Sequence, residues 1–108
     1  VLSELRQPGY KTLCHCPRTV LLIRDGTDVV KVLSAEKSSF EVSEWLVNVG
    51  VMRFRVVVMY RPPYSAEHPV STAVFIGEFA DYLESVIMSS EPLIISGDFN
   101  ILMLRCVE

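Results

Sequence analysis

The stretch Leu93-Ile94-Ile95-Ser96-Gly97-Asp98-Phe99-Asn100 decides how the chain is to be read. Three aliphatic residues follow Pro92 and run without a break to Ser96, where Gly97-Asp98 closes them. A short apolar run ending on turn residues reads as a buried central strand. Upstream, Phe75, Phe79, Leu83 and Val86 recur at helical spacing within residues 72–89, with Ile76, Ala80 and Ile87 widening the stripe and Glu78, Asp81 and Glu84 off it. That pattern is an amphipathic helix laid on a sheet. Before it, the run Met52 to Tyr60 opens on Arg53 and Arg55, becomes Val56-Val57-Val58-Met59-Tyr60, and stops at Pro62-Pro63, neither of which can donate to a ladder. Strand, crossover helix and strand make one unit, right-handed if the strands are parallel. The fold class is α/β.

Further toward the N-terminus the pattern becomes that of half-buried strands. Across residues 39–49, Phe40 and Val42 alternate with Glu41 and Ser43, and the apolar face then shifts to Trp45, Val47 and Val49. A slip at Ser43-Glu44 predicts a β-bulge there, with Asn48-Val49-Gly50 as the turn. Thr19 to Arg24 and residues 29–33 are two more apolar runs, separated by Asp25-Gly26. An Asp-Gly between such runs predicts that they pair as a hairpin. Residues 1–18 mix Gly, Pro, Ser and polar groups with no sustained period and are expected to be irregular.

Composition narrows the functional classes. Half of the 108 residues are hydrophobic, which fits a packed core and excludes disorder. Mean hydropathy is +0.35, high for so small a unit, which suggests strands made to be covered on both faces. The net charge is −3 and the cations are scattered, so the basic footprint of a tight nucleic-acid binder is missing. No apolar stretch is long enough to span a bilayer and no charged-then-apolar leader opens the chain, so a soluble, intracellular protein without membrane contact is expected. Cys14, Cys16 and Cys106 leave an odd thiol. Cys14-His15-Cys16 lacks the spacing and the second ligand pair of a zinc site, and the thiols are expected to be reduced and structurally incidental.

Two polar groups of residues, Tyr60-Arg61-Pro62-Pro63 and Gly97-Asp98-Phe99-Asn100, follow the C-terminal ends of the two most buried strands. That edge of an α/β sheet is where ligands bind, because strand ends converge while the loops stay free. Asp98 has two readings at this point: an Asx turn that ends the strand, or an acid placed for chemistry.

Taken together, Tyr60-Arg61-Pro62-Pro63, a helix containing Phe79 and Tyr82-Leu83, and Leu93 through Asn100 resemble the endonuclease domain of non-LTR (LINE-type) retrotransposon polyproteins, within the endonuclease/exonuclease/phosphatase superfamily. Glu36-Lys37-Ser38-Ser39-Phe40-Glu41 and Glu44-Trp45-Leu46 resemble the segment that precedes the tyrosine motif in those elements, so the likeness covers residues 19–101. The resemblance implies the central part of a two-sheet α/β sandwich, incomplete here. It implies catalytic roles for Asp98, which would orient or deprotonate the attacking water, for Asn100, which would hold phosphate and nucleophile, and for Tyr60, whose hydroxyl would contact the scissile phosphate. Arg61 would be a weaker substrate contact. Mg²⁺ as cofactor and DNA as partner follow from the same likeness, and in-line attack on a phosphodiester needs such a set.

Other parts of the family's machinery have no match. Its metal-binding glutamate and an early asparagine would lie well upstream of the glycine-rich stretch that precedes the first matching strand, before Val1, and its final Asp-His pair beyond Glu108. Ile101 is followed by Leu102-Met103-Leu104 where relatives carry His, another residue and Asp. Residues 19–101 are therefore expected to be a partial domain, inactive as it stands, with an irregular segment at 1–18 and a divergent tail at 102–108. Substitutes are weak: His68 and His15 read as solvated loop histidines, Glu36, Glu41 and Glu44 as poor candidates for metal ligands, with Glu41 and Glu44 on a strand whose polar positions face water, and Trp45 and Phe75 as core. Exposed sheet edges predict self-association. A non-catalytic remnant or interaction module is the alternative function, and a small phosphate-ester phosphatase a third.

Overall fold

In a computed structural model, which describes residues 8–16 and 19–100, the chain is a small mixed α/β domain with two sheets and one helix. The elements are β1 (Tyr10–Cys16), β2 (Thr19–Arg24), β3 (Asp28–Glu36), β4 (Glu41–Val49), β5 (Met52–Tyr60), α1 (Thr72–Val86) and β6 (Leu93–Asp98). β1 and β2 form a two-stranded antiparallel sheet; the other strands form a second sheet in the order β3-β4-β5-β6. β3, β4 and β5 are antiparallel neighbours, and β6 runs parallel to β5 across the α1 crossover. The strand, helix and strand unit is thus as the periodicity implies.

Helix α1 starts where Ser71 accepts a hydrogen bond from the Val74 amide, the usual way of satisfying a free N-terminal donor. It ends at Val86, before the 89 expected. Phe75, Tyr82 and Val86 are buried against Phe40, Val42, Val57 and Met59 of the sheet, with Phe79, Leu83, Leu93 and Ile95 packed around them. Ile76 and Ile87 do not join this stripe, being 54% and 70% exposed.

The other face of the sheet is covered too. β1 and β2 lie across it, against β4 and β5. β4 is buried on both sides from Glu41 to Trp45. Trp45 is core, as expected, and its indole N–H donates to Ser43 Oγ at 3.1 Å. Glu41 and Glu44, expected to face water, are both buried. Glu44 survives there because Arg55 Nη1 donates to it at 2.8 Å and the Tyr82 hydroxyl at 2.7 Å. Burial and this bond raise the phenol's pKa, so Tyr82 stays a donor.

Four further expectations are corrected. Residues 10–16 are a strand, not irregular, because β2 supplies their ladder. β2 therefore does not pair with β3. Asp25-Gly26 is still a turn, with Gly26 at φ 86°, but it carries the chain from one sheet to the other. Turn chemistry specifies a reversal and leaves the partner open. The irregularity expected at Ser43-Glu44 lies on the facing strand, between Lys31 and Leu33, while β4 and β5 pair without a break. Finally, β6 is an edge strand among the described residues and not a central one, with Ile94 half exposed. Residues 101–108, including Cys106 and the tail expected at 102–108, lie outside the described residues, as do the side chains of Cys14, His15 and Cys16.

Glu78 ties the helix to the β3–β4 turn. Its carboxylate accepts from Ser38 Oγ at 2.6 Å, from the Ser39 amide at 2.9 Å and from Ser39 Oγ. These hydrogen bonds, Ser38 first, hold its pKa below the ordinary 4.5. The fold therefore gains from the carboxylate form. That gain is complete above the ordinary value and is lost as pH falls through the lower value in the fold. Glu78→Gln is expected to cost about 1 kcal/mol near neutral pH, the low end for hydrogen bonds to a charged group on a partly open flank. The difference in Tm between wild type and Glu78→Gln should shrink as pH drops below 4.5; a difference independent of pH down to about 2.5 would contradict it.

Candidate functional site

Because β5 and β6 are parallel, their C-terminal ends share one edge. Tyr60 and Asp98 are register partners there. The chain is then locked by one backbone and one side-chain bond: the Arg61 amide donates to Asp98 O at 2.8 Å, and Asn100 Nδ2 donates to Arg61 O at 2.5 Å. Asn100 adopts φ 48°, a left-handed conformation that asparagine tolerates better than most residues. Its amide donates to Asp98 Oδ1 at 3.1 Å. One oxygen of Asp98 therefore closes an Asx turn, while the residue stays exposed to solvent. Of the two readings of Asp98, the turn is present, and it leaves the carboxylate at the surface beside Tyr60. Gly97 precedes it at a point where a Cβ would overlap the Met59 carbonyl group.

Arg61 takes a different part from the one expected. It is 3% exposed and its guanidinium is directed inward. Nη1 reaches Phe99 O and Asn100 O at 3.4 Å, Nη2 donates to Thr72 Oγ1 at 3.1 Å, and the group lies 4.8 Å over the Phe75 ring. A residue next to Tyr60 on the strand points to the opposite face, here the helix face. Arg61 is a brace joining three segments, not a surface contact for substrate.

Strand pairing extends the site sideways. The register Glu36↔Glu41↔Tyr60↔Asp98 puts one residue from each of four strands in a row across the sheet. Residues directly opposite share a face. Next to this row is a cleft of about 530 Å³ lined by Glu36, Glu41, Tyr60, Pro62, Glu67 and His68, among others. His68 is half-buried and not a solvated loop residue: its Nε2–H donates to Ser38 O at 3.0 Å, fastening the 61–71 loop to the β3–β4 turn. Its tautomer is therefore engaged in structure.

The Mg²⁺ that the resemblance implies can be tested against these donors. Magnesium takes oxygen ligands in a tight octahedron, usually from one or two carboxylates and several waters. In the row, Glu41 and Asp98 flank Tyr60, two strand spacings or roughly 9.5 Å apart at the backbone. Glu44 faces the helix with Arg55, and one Asp98 oxygen accepts from Asn100. Among the described residues no three His, Cys, Asp or Glu side chains converge in a way that could hold a metal ion. The described residues do not make up a magnesium site.

The site thus brings together Tyr60, Asp98 and Asn100, as their spacing implied, and turns Arg61 away. Glu41 as a buried wall of the cleft was not legible in the sequence. Its alternation with Phe40 and Val42 looks solvent-facing, and the cleft it lines is walled by the loop of Pro62, Ser65 and His68, far from it in the chain. No helix among the described residues is long and apolar enough to cross a membrane. No family model matches the chain, and no match emerges among curated proteins or solved structures.

Proposed function

We propose that the β5 and β6 strand ends carry the part of a phosphodiesterase site that positions phosphate and water, in a partial domain of the endonuclease/exonuclease/phosphatase type, related to the DNA endonucleases of LINE-type retrotransposons. The observation that supports this reading most is the register pairing of Tyr60 with Asp98, with Asn100 fixed two residues further on. A phenol that lines the cleft and a carboxylate paired with it in register on the next strand offer a donor to a phosphate oxygen and an acceptor for a water proton. In this reading Mg²⁺ would supply Lewis-acid chemistry when bound, and its ligands are not among the described residues. In this reading the 108 residues by themselves would not cleave DNA.

Binding and turnover are tested separately. Titrating ¹⁵N-labelled protein with a DNA dinucleotide containing one phosphodiester is expected to shift the amide signals of Tyr60, Arg61 and Asn100. Tyr60→Phe should weaken that binding about tenfold, the loss of one hydrogen bond to a charged group. Shifts confined to other regions, or none, would remove the site. In the presence of Mg²⁺, wild type and Asp98→Asn are expected to leave supercoiled plasmid equally intact. Nicking by wild type that falls by roughly 10²–10⁴ in Asp98→Asn would show a working general base and overturn the inactivity.

A further inference from the structure

The two edges of the four-stranded sheet are built differently. β3 carries Lys31 in mid-strand and a register shift beside it, devices that keep an edge from pairing. β6 carries neither. From Leu93 to Gly97 it has no charge, no proline and no bulge, and no described strand lies beyond it. Its free groups can be assigned. Arg55 N–H donates to Pro92 O and Arg61 N–H to Asp98 O, so the even-numbered residues of β6 turn their peptide groups toward β5. Leu93, Ile95 and Gly97 direct theirs outward.

The helix overhangs the same edge. Glu78 fixes one flank of α1 to the β3–β4 turn. At 3.6 residues per turn, Ile76, Ala80, Leu83 and Ile87 fall on the opposite flank. Phe79, between the flank and the core, packs on Phe99 just past the end of β6, with ring centroids 5.8 Å apart. Ile76 and Ile87 are largely exposed there, apolar residues that the buried stripe leaves uncovered. An open strand edge and an apolar helix flank above it form one continuous surface.

We propose that a second copy of this chain covers this surface, with β6 pairing antiparallel to its counterpart about a two-fold axis at Ile95. A two-fold axis normal to the sheet keeps both helices on one side, so the two apolar flanks meet above the paired strands. Outward-directed residues must face each other, and with Ile95 on the axis all three do. Leu93 then lies opposite Gly97 of the second copy, a large side chain against none. Asp98 lies opposite Pro92, so no like charges are opposed. The surface is complementary to itself in hydrogen bonding, shape and charge, which favours a second copy over an unrelated strand. This inference does not rest on the phosphodiesterase reading.

The test is the oligomeric state of the full chain by sedimentation equilibrium, with an isotope-filtered NOE experiment on a mixed labelled and unlabelled sample. The expected species has twice the 12.2 kDa mass of the chain. In the proposed register Ile94 and Ser96 form a non-hydrogen-bonded pair, whose close backbones give an intermolecular Hα–Hα NOE. Ile87→Glu, at a position already 70% exposed, should keep the fold by circular dichroism and weaken the dimer at least about tenfold. Val51→Glu, in the distant β4–β5 turn, should change nothing. A monomer at about 100 μM, above the range of stable homodimers, would overturn the proposal. So would larger aggregates, or a dimer that lacks the Ile94–Ser96 NOE or ignores Ile87→Glu.

Discussion

Arg55→Ala is expected to destabilise the fold by roughly 3–5 kcal/mol, the cost of breaking a buried ion pair from one side. Glu44 lies 6% exposed on the helix face of β4, and Arg55 Nη1 is 2.8 Å from it. Arg55 also reaches Glu91 at 3.2 Å, but that contact is at the rim and adds little. Removing the guanidinium would leave a carboxylate in the core with only the Tyr82 hydroxyl as donor. Urea denaturation would measure the loss. A second variant isolates the cause: Glu44→Leu, Arg55→Met and Tyr82→Phe together remove the buried members of the cluster and leave only Glu91 at the rim, and such replacements are often neutral or stabilising. Stability of this triple variant within about 1 kcal/mol of wild type is the expected result. An Arg55→Ala loss below about 1 kcal/mol would show that water reaches Glu44 and that the pair is effectively a surface one.

Phe75→Ala is expected to cost about 3–5 kcal/mol, the range for deleting a fully buried aromatic ring. The ring is 1% exposed and touches four partners: Phe40 edge-on at 5.7 Å, Phe79 stacked at 5.5 Å, Phe99 at 6.3 Å and the Arg61 guanidinium at 4.8 Å. A domain of this size is held together by roughly 5–15 kcal/mol in all, so the variant should be close to unfolding at 37 °C. The effect should also be local. Phe75 supports both Arg61 and Phe99, which fix the loop carrying Asp98 and Asn100. Hydrogen exchange at the Arg61 amide, bonded to Asp98 O, should speed up more than exchange in β4. Equal acceleration at both would mean that Phe75 serves the core alone. Phe75→Leu, which restores part of the apolar volume without the ring, should recover part of the stability lost in Phe75→Ala but not the Arg61 protection.

Local patterns carried much of this fold. The unbroken run Val56 to Tyr60, the helical spacing of Phe75, Phe79, Leu83 and Val86, and the closure at Gly97-Asp98 each depend on neighbours within a few residues, and each element stands close to where its pattern put it. The meeting of Tyr60 with Asp98 also follows, since two parallel strands joined by a helix end at the same edge. The amino-acid sequence by itself therefore determined the strand, helix and strand unit and the place where its polar residues gather. Partner choice was decided only by the tertiary structure. Whether β2 pairs with β1 or β3, whether β6 is central or at the edge, and whether Glu41 and Glu44 meet water all depend on segments far apart in the chain. Arg61 is expected to contact substrate only through the resemblance, which says nothing of where its side chain packs. It lies inside because Thr72, Phe75 and the 98–100 turn, brought together by packing, satisfy it better than water does. Periodicity reports which face of an element is apolar; what covers that face is set by long-range packing, which no local pattern encodes.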